Sequence, residues 1–138
     1  MGLYPVKCTV SVPCSGLTAS DANLGLKWDN ATGKLVKGTD NARLAGKCVV
    51  VDKNLDQCTL EYAGVLRFPV TDSVTLDASV LGQKVIGGPN GTAKPLGPPA
   101  DFSDATIGLR YLNAADGRIL DYSNIAGDKY VDVAGYFG

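Results

Sequence analysis

Residues 46–70, GKCVVVDKNLDQCTLEYAGVLRFPV, hold three strand-like runs with little chain between them. The first, CVVV at 48–51, is mostly β-branched. In the second, Cys58, Leu60 and Tyr62 alternate with Thr59 and Glu61; in the third, Leu66, Phe68 and Val70 alternate with Arg67 and Pro69. A period of two marks a strand with one buried face. The polar stretch 52–56, DKNLD, supplies a turn between the first two runs, and Gly64 supplies a bend between the second and third. The pattern predicts a tight three-stranded meander at the centre of a β-sheet.

The same period recurs on both sides. Val6, Cys8, Val10 and Val12 alternate with Lys7, Thr9 and Ser11, which predicts one strand preceded by an arm, residues 1–5. Pro5 favours an extended approach to that strand and offers no backbone donor. A loop of small and polar residues, 13–23, leads to LGLKWDNATGKLV at 24–36. This reads as a hairpin with Leu24, Leu26 and Trp28 on one face, Lys27 and Asp29 on the other, and its turn at 30–33. IGLRYLNAADGRIL at 107–120 repeats the arrangement, and a weaker copy begins at Leu81. The intervals are unequal, so the copies are not a solenoid period.

Residues 71–81 suit a turn or a single helical turn ending at Gly82, and 101–104 suit another. GGPNGTAKPLGPP at 87–99 excludes a helix and offers at most a short edge strand, which makes it the best candidate for a protruding functional loop. In the final strand, 129–134, Tyr130, Asp132 and Ala134 alternate with Lys129, Val131 and Val133. The expected fold is therefore all-β: a single compact barrel or sandwich domain over 1–138, with an extended N-terminal arm and at most short helical turns. Seventeen Gly and seven Pro, spread evenly through 138 residues, reinforce this by leaving no room for long helices. A chain of this size buries roughly two-thirds of its unfolded surface, enough for one core.

Charge and composition exclude more than they assign. Thirteen basic and fourteen acidic residues give a net charge of −1. The cations are scattered singly, without the basic patch that nucleic acid or an anionic membrane requires. The chain contains no histidine, the commonest general base and metal ligand. No apolar run approaches the length of a membrane span, and the first residues carry no basic leader with an apolar segment, so the expectation is synthesis and retention in the cytosol. Cys8, Cys14, Cys48 and Cys58 have five and nine residues within the two pairs, which is unlike the close pairs of a zinc site. Buried free thiols are the expectation, with a disulfide formed after release from the cell as the alternative.

Candidate chemistry is sparse. The carboxylates Asp52, Asp56 and Glu61 lie in or beside turns and read as solvated surface. Cys14, in the loop PCSG, lacks a histidine to activate it as a nucleophile. The tripeptides 30–32 and 90–92 match a glycosylation acceptor pattern but read as turn chemistry. Trp28 and the tyrosines at 4, 62, 111, 122, 130 and 136 could line a sugar- or peptide-binding face, although several fall in strand patterns that suit a core. The expectations are no enzymatic activity, no cofactor and no metal site.

Taken in order, the loop GLTA, the hairpin LKWDNATGKLVKGT, the strand KCVVVDK and the run EYAGVLRFPVTDSV leading into LGQKVIGGPNGTAK resemble the small β-rich head decoration (cement) proteins of tailed bacteriophages. The resemblance covers roughly residues 16–94, and the C-terminal third has no counterpart. It implies a tulip-like β architecture and a virion protein that binds the outside of the expanded capsid, bridges major capsid subunits and resists the pressure of packaged DNA. It also implies the major capsid protein as partner and homotrimers at local symmetry axes. The residues expected to contact the capsid are Gly2, Leu3, Tyr4, Pro5 and Val6, because an extended apolar segment ahead of an edge strand suits strand addition. A carbohydrate- or peptide-binding β-sandwich module is the alternative.

Overall fold

The computed structural model describes residues 7–97 and 114–137. Nine strands follow in chain order: β1 (Cys8–Pro13), β2 (Gly25–Asp29), β3 (Lys34–Lys37), β4 (Gly46–Asp52), β5 (Gln57–Pro69), β6 (Val85–Gly87), β7 (Ala93–Pro95), β8 (Asp116–Ile125) and β9 (Asp128–Tyr136). Among the described residues three single 3₁₀ turns interrupt them, at Ala19–Asp21, Ala78–Val80 and Pro89–Gly91. The fold is all-β, as the alternation predicts, and the helical turn expected within 71–81 is the second of these. The arm and Val6, together with 98–113, lie outside the described residues. That range includes the helical turn expected at 101–104 and the first strand of the 107–120 hairpin.

One long strand organises the sheet. The residues of β5 at its start pair with β1 on one edge (Thr59 with Ser11) and with β4 on the other (Cys48 with Leu60). Ala63 pairs with both Cys8 and Tyr136, after which β5 continues against β9 as far as Pro69 with Tyr130. Thus β4 and β9 follow one another along the same edge, and the sheet runs β3-β2-β4-β5-β9-β8 with β1 across β5.

This corrects the meander: the second and third runs are a single 13-residue strand. The buried apolar residues keep one parity through Gly64, from Cys58 and Leu60 to Leu66 and Phe68, so no reversal of direction is required. Gly64, at φ 112°, instead lets the strand coil while it exchanges one partner for the next.

The β4–β5 turn is held by Asp52, whose carboxylate accepts from the N–H groups of Asn54 (3.0 Å) and Leu55 (3.3 Å). In the β2–β3 hairpin Asp29 does the same work, accepting from the Ala31 N–H at 3.0 Å and the Thr32 hydroxyl at 3.0 Å. Both are side-chain-stabilised turns of the kind that Asp favours.

The sheet curls until β1 reaches β3. Cys14 bridges to Leu35, and the Ser15 N–H donates to the Leu35 carbonyl at 3.0 Å. The half-barrel so formed encloses one core of Cys14, Leu17, Leu26, Leu35, Ala45, Cys48, Cys58 and Leu60. A larger core lies under β5, β8 and β9 and gathers Leu44, Leu66, Phe68, Leu76, Val85, Ile119, Val131, Val133 and Phe137 among others. Tyr62 packs against both.

The stretch expected to protrude at 87–99 is instead packed down over its described part. Ile86, Gly87, Gly88, Gly91 and Ala93 are buried, and β6 and β7 form a small second sheet. Main-chain bonds tie it to the 38–42 loop: Gly87 N–H to Ala42 O (2.8 Å), Asn41 N–H to Gly87 O (2.8 Å) and Gly91 N–H to Gly38 O (2.9 Å). The glycines that make a helix impossible here allow this close backbone approach.

Candidate functional site

The expected capsid-contact residues Gly2, Leu3, Tyr4, Pro5 and Val6 fall outside the described residues, so the site must be sought on the body of the domain. Two grooves stand out. The first, of about 410 Å³, lies where β2 runs past β4, between Lys27, Trp28 and Asn30, the 42–45 loop and Phe137. Leu44, Ala45 and Phe137 are its buried apolar part, while Trp28, Asn30 and Arg43 are exposed. Trp28 is 48% exposed. The hairpin pattern grouped it with Leu24 and Leu26; only Leu26 of the three is fully buried, because β2 outruns the strand that covers it.

The second groove, of about 560 Å³, is lined by Asn23, Leu24, Lys47, Arg67, Pro69, Asp128, Lys129 and Tyr130. Two of its three cations, Arg67 and Lys129, already have partners. Arg67 grips Asp132 through two bonds of 2.8 and 3.1 Å and lies 3.8 Å over the Tyr130 ring, and Lys129 donates to the carbonyls of Asp72 (2.8 Å) and Val74 (2.7 Å). The hydrogen bond to Asp132 raises the Arg67 pKa further. Lys47 is half-buried, and burial lowers its pKa against the opposing pull of Glu61. In the first groove, by contrast, neither Lys27 nor Arg43 has an ion-pair partner among the described residues, and no carboxylate lines the groove there. A groove with an open indole and two uncommitted cations is the better candidate for binding.

The other candidates are placed as follows. Asp52 and Asp56 are exposed, as expected, but Glu61 is only 8% exposed, sits opposite Lys47 across the β4–β5 ladder and reaches Lys7 at 4.0 Å. Its position on a central strand, not beside a turn, accounts for the difference. Cys14, Cys48 and Cys58 are buried thiols and Cys8 is half-buried. Burial, reinforced by Asp21 and Cys14 beside Cys48 and by Cys14 and Cys48 beside Cys58, pushes Cys48 up to about 11 and Cys58 up to about 12. Thiols held neutral in this way are poor nucleophiles and metal ligands. Cys48 and Cys58 flank one hairpin but are not opposed: Cys48 faces Leu60, and Cys58 faces Val51.

Among the tyrosines, Tyr62, Tyr122 and Tyr130 are half-buried and Tyr136 is exposed, its ring edge-on to Tyr62 at 5.8 Å; Tyr4 and Tyr111 lie outside the described residues. No group of three metal-ligating side chains converges among the described residues. None of their helices is long and apolar enough to cross a membrane.

Compared with known proteins, the chain matches no protein-family model and no curated protein sequence.

Proposed function

We propose that this chain is a virion structural protein that binds the outer surface of a bacteriophage head and stabilises it as a decoration protein, acting without catalysis. The observation that carries the reading is the ordered likeness over residues 16–94 to head decoration proteins. That stretch includes β2 to β7, and in this chain it folds as consecutive, mutually paired β elements together with the strand, β5, that holds the sheet together.

A head protein must resist outward force. A sheet whose central strand is bonded along both edges over part of its length, with each half on its own core, suits that load. Homotrimerisation at the capsid's local symmetry axes, with the major capsid protein as partner, completes the proposal. Symmetric association is the usual way for a small β domain to cover its strand edges.

The test is direct. Purified protein mixed with expanded, undecorated phage heads is expected to co-sediment with them, saturate at a fixed copy number and raise the temperature at which they release DNA. Failure to co-sediment, or binding without saturation, overturns the proposal.

A further inference from the structure

The groove beside Trp28 has, among the described residues, an open main-chain edge as well as side chains. On its β3 side, β2 is paired from Leu26 with Lys37 to Asp29 with Lys34. On its β4 side the pairing covers only Gly25 with Lys47 and Leu26 with Gly46. The carbonyls of Leu24 and Leu26 accept from the N–H groups of Cys48 (2.8 Å) and Ala45 (2.7 Å). Alternation along a strand therefore directs the N–H and C=O of Trp28 to the same edge. Residues 42–44 do not continue the ladder, and among the described residues no main-chain partner meets Trp28 on this side.

We propose that this edge binds a short extended peptide bearing carboxylates, which adds to β2 as a strand. Three observations select that occupant. A donor and an acceptor spaced as in a strand pair with another main chain, which is the basis of strand addition. Lys27 and Arg43 flank the position and face no carboxylate among the described lining, so charge complementarity favours Glu or Asp on the incoming strand. The Trp28 indole, 48% exposed, offers an apolar surface to one of the alternate side chains. The inference goes beyond the capsid-binding proposal and does not rest on it.

Trp28 is the only tryptophan, so its fluorescence reports on this site alone. The experiment titrates the full chain with three capped heptapeptides in which Val alternates with Glu, Lys or Ser, and with an acidic oligosaccharide, oligogalacturonate. The Val/Glu peptide is expected to shift the emission saturably and to bind at least about tenfold tighter than the Val/Lys peptide, a difference of roughly 1.4 kcal/mol. The amide of Trp28 should gain protection from hydrogen exchange in the complex. Arg43→Glu, a change at an exposed position, leaves Lys27 balanced by a carboxylate and should remove most of the difference between the two charged peptides.

Absence of a saturable change up to about 1 mM peptide overturns the proposal, as does equal binding of the Lys and Glu peptides. A response to oligogalacturonate with none to peptide overturns it in favour of a glycan. These measurements use no capsid, so their failure leaves the head-binding test to stand or fall separately.

Discussion

Asp21 shows how a single side chain can lock two parts of this chain together. Its carboxylate is buried at the end of the first 3₁₀ turn, accepts the Thr18 N–H at 2.8 Å and pairs with Lys37 of β3 at 3.1 Å. Burial alone would raise its pKa, but the Thr18 bond and Lys37 outweigh burial and hold it below the ordinary 3.8. The charged form is thus favoured in the folded state, so its contribution is present above the unfolded pKa and is lost as pH falls through the lower, folded value. Asp21→Ala should cost about 2 kcal/mol near neutral pH, the loss of charged hydrogen bonds. The gap from the parent chain, measured by urea denaturation, should narrow below pH 3.8. The buried thiols act with the opposite sign. Cys48 and Cys58 remain protonated in the fold up to about 11 and about 12, whereas unfolded thiols ionise near 9.0. Their contribution is complete below pH 9.0 and is lost as pH rises towards the folded values, at about 1.4 kcal/mol per pH unit for each thiol. Replacing both by Ala should flatten the alkaline limb of the stability profile between pH 9 and 11. That Cys58 is core was legible from its alternation with Thr59 and Glu61, and Cys48 from its place in a β-branched run. The Asp21–Lys37 pair was not, because it joins a loop to a strand that nothing in the local pattern connects.

At the scale of elements, alternation located nearly every described strand but not where strands end. The runs on either side of Gly64 keep one parity, and a glycine by itself does not distinguish a turn from a coil in a continuous strand. Trp28 fails for a related reason: the pattern gives a face, but exposure depends on how far the neighbouring strand extends. In β8 the register shifts between Ile119 and Asp121, leaving Leu120 exposed. This bulge interrupts the period and hides the continuation to Ile125, so the tight turn to β9 around Gly127 went unread. The β8–β9 ladder also contains a contact that pattern reading does not reveal. Gly135 faces Gly117, and a Cβ on Gly135 would lie 2.4 Å from both the Asp116 carbonyl oxygen and the Gly117 Cα. Both obstacles are backbone, so the strands themselves must separate to admit a methyl group. Gly135→Ala should therefore destabilise by about 2–3 kcal/mol, within the range of overpacking, and lower the thermal midpoint. A midpoint unchanged from the parent chain would show that β8 and β9 can part without cost.

For the molecule as a whole, the decisive prediction concerns the arm, because it separates binding from folding. Among the described residues the smaller core begins with Val12 and Cys14, and the larger with Leu44. If residues 2–5 serve binding alone, their deletion should change stability by no more than about 0.5 kcal/mol, the usual limit for surface changes. If the arm supplies the capsid contact, the same deletion should abolish or sharply weaken attachment to expanded heads, since an added strand derives its affinity from main-chain bonds that truncation removes entirely. Calorimetry of the free protein and co-sedimentation with heads measure the two quantities independently. An unchanged melting temperature with lost attachment assigns Gly2, Leu3, Tyr4 and Pro5 to binding. A lowered melting temperature would mean that the arm packs on the domain. Full attachment by the truncated chain would move the contact to the body of the domain, where the groove at Trp28 has cations and a strand edge without partners among the described residues.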